Sequence, residues 1–169
     1  VLSDYQQERI ATFLDPGRDP LGSGWNALQS AIAVGSGGVW GKGLLNGTQN
    51  VLGFFFFTVA PTDFIFPVLA EEKGFIGASV LLLAFACLLT CYLRTAWTAK
   101  DPAGSLLATG IAALLFCHVF VNIGMTIGLL PITGLPLPFV SSGGSFMVST
   151  LAGFGLVQSV HVRRKTREV

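Results

Sequence analysis

Asp63 stands at the edge of a long apolar run, after four consecutive phenylalanines (Phe54 to Phe57) and ahead of a segment that reads as a membrane span. An ionisable side chain where water, headgroups and hydrocarbon meet is costly, which makes it a candidate functional residue. A carboxylate there can work as a general base on a substrate hydroxyl. It can equally cap the helix that follows Pro61-Thr62 by accepting from free backbone N–H groups. At 100° per residue, Glu71 lies about 80° round the helix from Asp63 and Glu72 about 180°. Glu71 therefore shares Asp63's side, while Glu72 is left for another partner such as Lys73. Lys42 and Gln49 offer a cation and an amide to an anionic substrate, although each alone also reads as a solvated loop residue.

Other signatures fail. The glycine-rich stretch ending in Gly41-Lys42 has Ser36 where a phosphate-binding loop needs its first glycine, and Gly43 where it needs Ser or Thr. His118 and His161 are isolated and form no metal triad with other ligands. His118 and Asn122 share one helix face and read as a hydrogen-bonded interhelical pair rather than a proton relay. Gly124 and Gly128 fit close helix packing or a helix end equally well.

The elements that must position these residues are membrane helices. Of 169 residues, 51% are hydrophobic and 11% charged, with a mean hydropathy of +0.67; soluble domains carry roughly 25% charged residues. The net charge of +1, with no basic stripe, gives no reason to expect nucleic acid. Cys87, Cys91 and Cys117 fall inside apolar runs and read as small buried hydrophobes rather than disulfide or zinc ligands. The chain opens Val1-Leu2-Ser3-Asp4 without a signal-peptide pattern, and is expected to be the C-terminal portion of a larger membrane protein.

A spanning helix needs about 20 mainly apolar residues. Three segments qualify, at about 74–93, 103–130 and 145–162, with Asp101 and Pro102 as start signals for the second. Arg94 and Lys100 lie between the first two spans, and His161, Arg163, Arg164, Lys165 and Arg167 follow the third. Cytoplasmic loops are rich in Lys and Arg, so both regions, including the basic tail, are expected to be cytoplasmic. Residues 1–62 and the loop at about 130–144 then fall on the external face.

Residues 1–62 read as a large external loop with short interfacial helices, one over Asn26 to Val34 with Leu28, Ile32 and Ala31 on one face. Trp25, Trp40 and the phenylalanines suit a membrane surface. The loop at 130–144 has three prolines, Pro131, Pro136 and Pro138, and no charge. Irregular backbone at membrane depth persists only inside protein or along a cavity, so this loop reads as re-entrant-like. The expected fold is an all-α polytopic membrane protein, with three transmembrane helices after a large external loop.

The pieces in order then resemble one family. Asp19-Pro20-Leu21-Gly22-Ser23-Gly24, Gln29 to Gly38, Gly41-Lys42-Gly43 and Gly47-Thr48-Gln49 carry the likeness. Thr62-Asp63-Phe64-Ile65-Phe66, Ala70-Glu71-Glu72, Pro136 to Ser141 and Gly143-Gly144-Ser145 continue it over nearly the whole chain. This resembles the SEDS (shape, elongation, division and sporulation) family, its RodA branch more than its FtsW branch. Pro61 stands where the family usually has His, and Ser142 where Tyr is frequent.

The resemblance implies a multi-pass peptidoglycan glycosyltransferase of the bacterial plasma membrane, active on the external side, that polymerises lipid II onto an undecaprenyl-linked glycan strand. A class B penicillin-binding protein and membrane lipids are the implied partners. Asp63 falls on the family's essential aspartate. Lys42, Gln49, Thr62, Glu71, Pro138, Ser141, Gly143, Gly144 and Ser145 are the expected substrate-binding residues. A divalent cation, Mg or Mn, is the candidate cofactor, with no ligand set assigned. A lipid II flippase and a non-catalytic scaffold are the alternatives.

Overall fold

A computed structural model describes residues 4–15, 23–44, 46–47 and 62–163. They form α1 (Asp4–Leu14), α2 (Ser23–Ser36), α3 (Ile65–Thr98), α4 (Pro102–Thr126) and α5 (Gly144–Val162), and no strand occurs among the described residues. The last three are long and apolar enough to cross a membrane, which makes the chain an all-α polytopic membrane protein. At 1.5 Å per residue, α4 reaches about 37 Å and α5 about 28 Å, against a hydrocarbon core of about 30 Å.

The three long helices pack on small residues. Ala78, Phe85, Tyr92 and Ala96 of α3 meet Ala108, Ala112, Leu115 and Val119 of α4, with Val157 of α5 completing the cluster. Lipid tails are as apolar as these side chains, so close packing rather than transfer from water holds such helices together, and alanines let the backbones approach. Asp101 caps α4 by accepting from Gly104 N at 3.0 Å, and Pro102 follows at the first helical position. That cap is worth about 1 kcal/mol.

Two expectations are corrected. Cys87, Cys91 and Cys117 are free, but exposed on the chain's surface rather than buried. Ala78, Phe85 and Tyr92 recur every seven residues toward the bundle, and Cys87 lies about 200° round from Phe85. In α2 the inward face is Asn26, Gln29, Ser30 and Ala33, while Leu28, Ala31 and Ile32 point outward. The reason is where α2 docks. Ser30 Oγ donates at 2.6 Å to Thr126 O at the C-terminal end of α4, where the last carbonyls have no partner within their own helix. A helix end calls for hydrogen-bond donors, so the polar face turns in.

The first span, expected to begin at 74, belongs to a helix that already starts at Ile65, and Gly74 (φ 66°, ψ −165°) is a break inside it. Helix α4 ends at Thr126, short of the expected 130; Gly128 (φ 78°) follows in the turn, and Leu129 N and Leu130 N both donate to Gly124 O. A methyl group on Gly124 would come within 2.8 Å of the Leu130 side chain, so this glycine makes room for the returning chain. The segment then doubles back along α4. Leu135 O meets Asn122, Pro136 O meets His118 one turn further along, and Leu137 is fully buried in the helical core.

Candidate functional site

Asp63 lies in the turn that leads into α3, and its carboxylate does not cap the helix. Phe64 occupies the N-cap position, with no side-chain cap hydrogen bond. Among the described residues, Thr62 alone bonds the Asp63 carboxylate, its hydroxyl donating to Oδ1 at 3.0 Å. The other oxygen, Oδ2, faces Gly134, where a side-chain methyl would approach to 3.2 Å. Gly134 has φ 72°, a conformation open to glycine at little cost. Loop and carboxylate thus meet where the loop carries no side chain. Asp63 is half-buried.

The backbone around Asp63 is tied to the returning loop by two buried side chains. Asn122 Nδ2 donates to Asp63 O at 2.9 Å and to Leu135 O at 2.6 Å. Both amide hydrogens are committed to carbonyls, while Oδ1 is buried with no hydrogen-bond partner among the described residues. Ser141 Oγ accepts from Leu137 N at 2.8 Å and donates to Thr62 O at 2.5 Å. Its hydroxyl closes a turn of the loop and latches that turn to the residue before Asp63. His118 completes the arrangement, Nδ1 lying 3.4 Å from Pro136 O and its ring on Phe146 with centroids 5.0 Å apart. Phe139 has φ 62°, a conformation costing about 1–3 kcal/mol that persists only where the surroundings over-determine it. Pro138 on one side is buried and Ser141 on the other is latched.

A second group gathers about 12 Å further along α3 by helical rise. Glu71 is fully buried, and Lys42 Nζ sits 2.7 Å from its Oε1. Ser36 Oγ donates to the same oxygen at 3.3 Å. An ion pair at this depth balances a large desolvation cost against its attraction, and losing one partner strands the other.

Of the expected substrate-binding residues, the structure therefore joins Thr62 to Asp63, Ser141 to Thr62, and Lys42 to Glu71. Pro138 is buried in the loop. Gly143, Gly144 and Ser145 form the start of α5, with no hydrogen bond to Asp63 among the described residues. Gln49 lies outside the described residues. Asn122 is the residue sequence reasoning undervalued. A buried amide in an apolar span had to find partners, and its spacing from His118 suggested another helix. Both partners are instead backbone carbonyls of non-helical segments. Among the described residues no three His, Cys, Asp or Glu side chains come together as a metal cage.

The chain as a whole is similar to known proteins. The model of the cell cycle protein family named for FtsW, RodA and SpoVE matches residues 1–166. The peptidoglycan glycosyltransferase MrdB of Escherichia coli (strain K12) is 48% identical over 165 residues, covering 98% of this chain and 44% of its own. Stage V sporulation protein E of Bacillus subtilis (strain 168) is 45% identical over 161 residues, covering 95% and 43%. The chain thus spans less than half the length of these curated relatives. Among solved structures, one reported for the coordination of polymerization and crosslinking by a peptidoglycan synthase complex aligns with a TM-score of 0.74 at 35% identity, over 98% of this chain and 44% of the other. A crystal structure of the Thermus thermophilus rod shape determining protein RodA, in an aspartate-to-alanine mutant, aligns at 0.59 with 28% identity, over 98% and 60%.

Proposed function

The chain belongs to the FtsW/RodA/SpoVE family of cell cycle proteins, and from that membership we propose that it carries the catalytic aspartate of a membrane-embedded peptidoglycan glycosyltransferase. The observation that carries the proposal is the Asp63 carboxylate. It is relieved of capping duty, held by Thr62 at one oxygen and turned with the other toward a glycine. A general base needs this combination of fixed backbone and a reachable oxygen.

The substrate is lipid II, and the acceptor sugar hydroxyl docks at Asp63. Its proton passes to the carboxylate as the hydroxyl oxygen forms a bond to the anomeric carbon of the lipid-linked strand. The bond from that carbon to the diphosphate breaks, and its electron pair leaves with undecaprenyl pyrophosphate. Charge growing on the leaving group calls for a cation. Among the described residues no three His, Cys, Asp or Glu side chains come together to hold a divalent ion. The returning loop from Gly134 to Ser141 walls the site on the side of α4.

Sidedness follows from charge. Arg94, Lys100 and Arg163 cluster at the end of the bundle where Thr95 meets His161, and positive ends face the cytoplasm. Asp63 and the loop, at the opposite end, then face outward on the bacterial plasma membrane. The relative reported as a polymerizing and crosslinking complex supports a class B penicillin-binding protein as partner.

The decisive experiment is lipid II polymerisation by the full-length protein with its crosslinking partner. Asp63→Asn is expected to lower the rate at least ~100-fold. Undiminished polymerisation by that variant rules out Asp63 as the base. Transbilayer movement of labelled lipid II in vesicles, without polymer, would favour the carrier reading instead.

A further inference from the structure

Helix α3 breaks at Gly74, and the broken hydrogen-bond ladder is repaired by another part of the chain. An unbroken helix would bond Phe75 N to Glu71 O and Ile76 N to Glu72 O. Here Lys42 N and Gly43 N donate to those two carbonyls, each at 3.0 Å. The two freed N–H groups go to the same loop, Phe75 N to Gly38 O at 2.9 Å and Ile76 N to Val39 O at 3.3 Å. All four groups are satisfied by residues 38–43, which are spliced into the helix at the break. Such contact needs bare backbone. A side chain on Gly37 would overlap Ala70 O, one on Gly41 would overlap Glu72 O, and one on Gly74 would overlap Gly41 N.

The splice carries an ion pair between half-buried Lys42 and fully buried Glu71, with Ser36 on the same carboxylate oxygen. It joins the loop to the short first part of α3, residues 65–73, at whose beginning stands Asp63. The angle between that part and the remainder of α3 is set at Gly74, where the loop is bonded to both sides. We propose that Lys42 and Glu71 are a positioning pair. They hold residues 38–43 in the break and so fix where the first turns of α3 deliver Asp63, without touching the substrate. The proposal rests on Asp63 being the base.

The test is a double-mutant cycle in the full-length protein with its partner. Lys42→Met and Glu71→Gln should each lower kcat on lipid II by ~30–100-fold, the scale of a misplacement of about 1 Å, with KM within about threefold. Lys42→Met/Glu71→Gln removes both charges and should recover to within ~10-fold of the parent, because no buried charge is left unpaired. If Lys42 instead bound the substrate's diphosphate, Lys42→Met would raise KM and the double variant would be no better than the single. That result overturns the proposal. Hydrogen exchange separates this from the question of chemistry. The amides of Lys42, Gly43, Phe75 and Ile76 should exchange at least ~10-fold faster in Glu71→Gln and return toward the parent in the double variant, as local opening of a bonded unit predicts. Unchanged exchange at all four would refute the positioning role even if Asp63→Asn abolishes polymerisation. Faster exchange together with an active Asp63→Asn variant would instead fault the assignment of Asp63.

Discussion

Asp63 and Asn122 divide one task between side chain and backbone. Asn122 holds the Asp63 carbonyl, and Thr62 holds one carboxylate oxygen. Since Asp63 caps nothing, Asp63→Asn should leave the thermal unfolding midpoint in detergent where it is, whereas loss of a capping carboxylate would remove about 1 kcal/mol. Asn122→Ala should behave differently. It strands Asp63 O and Leu135 O in a buried setting, so destabilisation of about 2 kcal/mol or more is expected, together with a fall in polymerisation. Denaturant titration of the purified protein measures the first and the lipid II assay the second. Ser141→Ala leaves Leu137 N and Thr62 O unpaired in the same way and should cost about 1–3 kcal/mol.

At the scale of elements, length and hydropathy made three spans legible, because a helix crossing hydrocarbon has little freedom in either. Asp101 and Pro102 were also readable, since a cap and a first-turn proline act within a few residues. What was hidden depends on contacts far along the chain. A glycine in an apolar run announces neither a break nor the loop that fills it, so Gly74 and residues 38–43 gave no joint signal. The inward face of α2 was misread because amphipathic reasoning assumes that a helix packs on its apolar side. This one docks on a helix end through Ser30. For the site, Asp63 stood out by charge alone, while the role of Asn122 depended on carbonyls whose place only the folded loop determines. Glycine substitutions test the splice directly. Gly74→Ala is expected to destabilise by at least ~1 kcal/mol from its left-handed backbone alone, with the overlap on Gly41 N in addition. Gly35→Ala, in α2 with open space around it, should stabilise by about 0.5–1 kcal/mol.

For the whole molecule, the arrangement of three spans predicts sidedness. A cysteine placed at Thr133, exposed in the loop, should react with a membrane-impermeant maleimide in intact cells. One placed at Lys100 should react only after permeabilisation. The reverse pattern would place Asp63 on the cytoplasmic face and remove the external active site. The outer surfaces carry large apolar side chains such as Phe75, Leu83, Leu106, Phe120 and Val148, as a bundle set among lipids and further helices requires. Val157 is the buried residue of α5, so that helix keeps most of its surface for such neighbours.

The splice at Gly74 also bears on how the chain tolerates changes in length. Surface loops ordinarily accept insertions, since each added residue changes little but closure entropy. Between Gly38 and Gly43 that tolerance vanishes. Two donors and two acceptors there are in register with two acceptors and two donors of α3, and one added residue shifts half of them away from their partners. Here the number of residues in a loop is read out as the angle of a transmembrane helix.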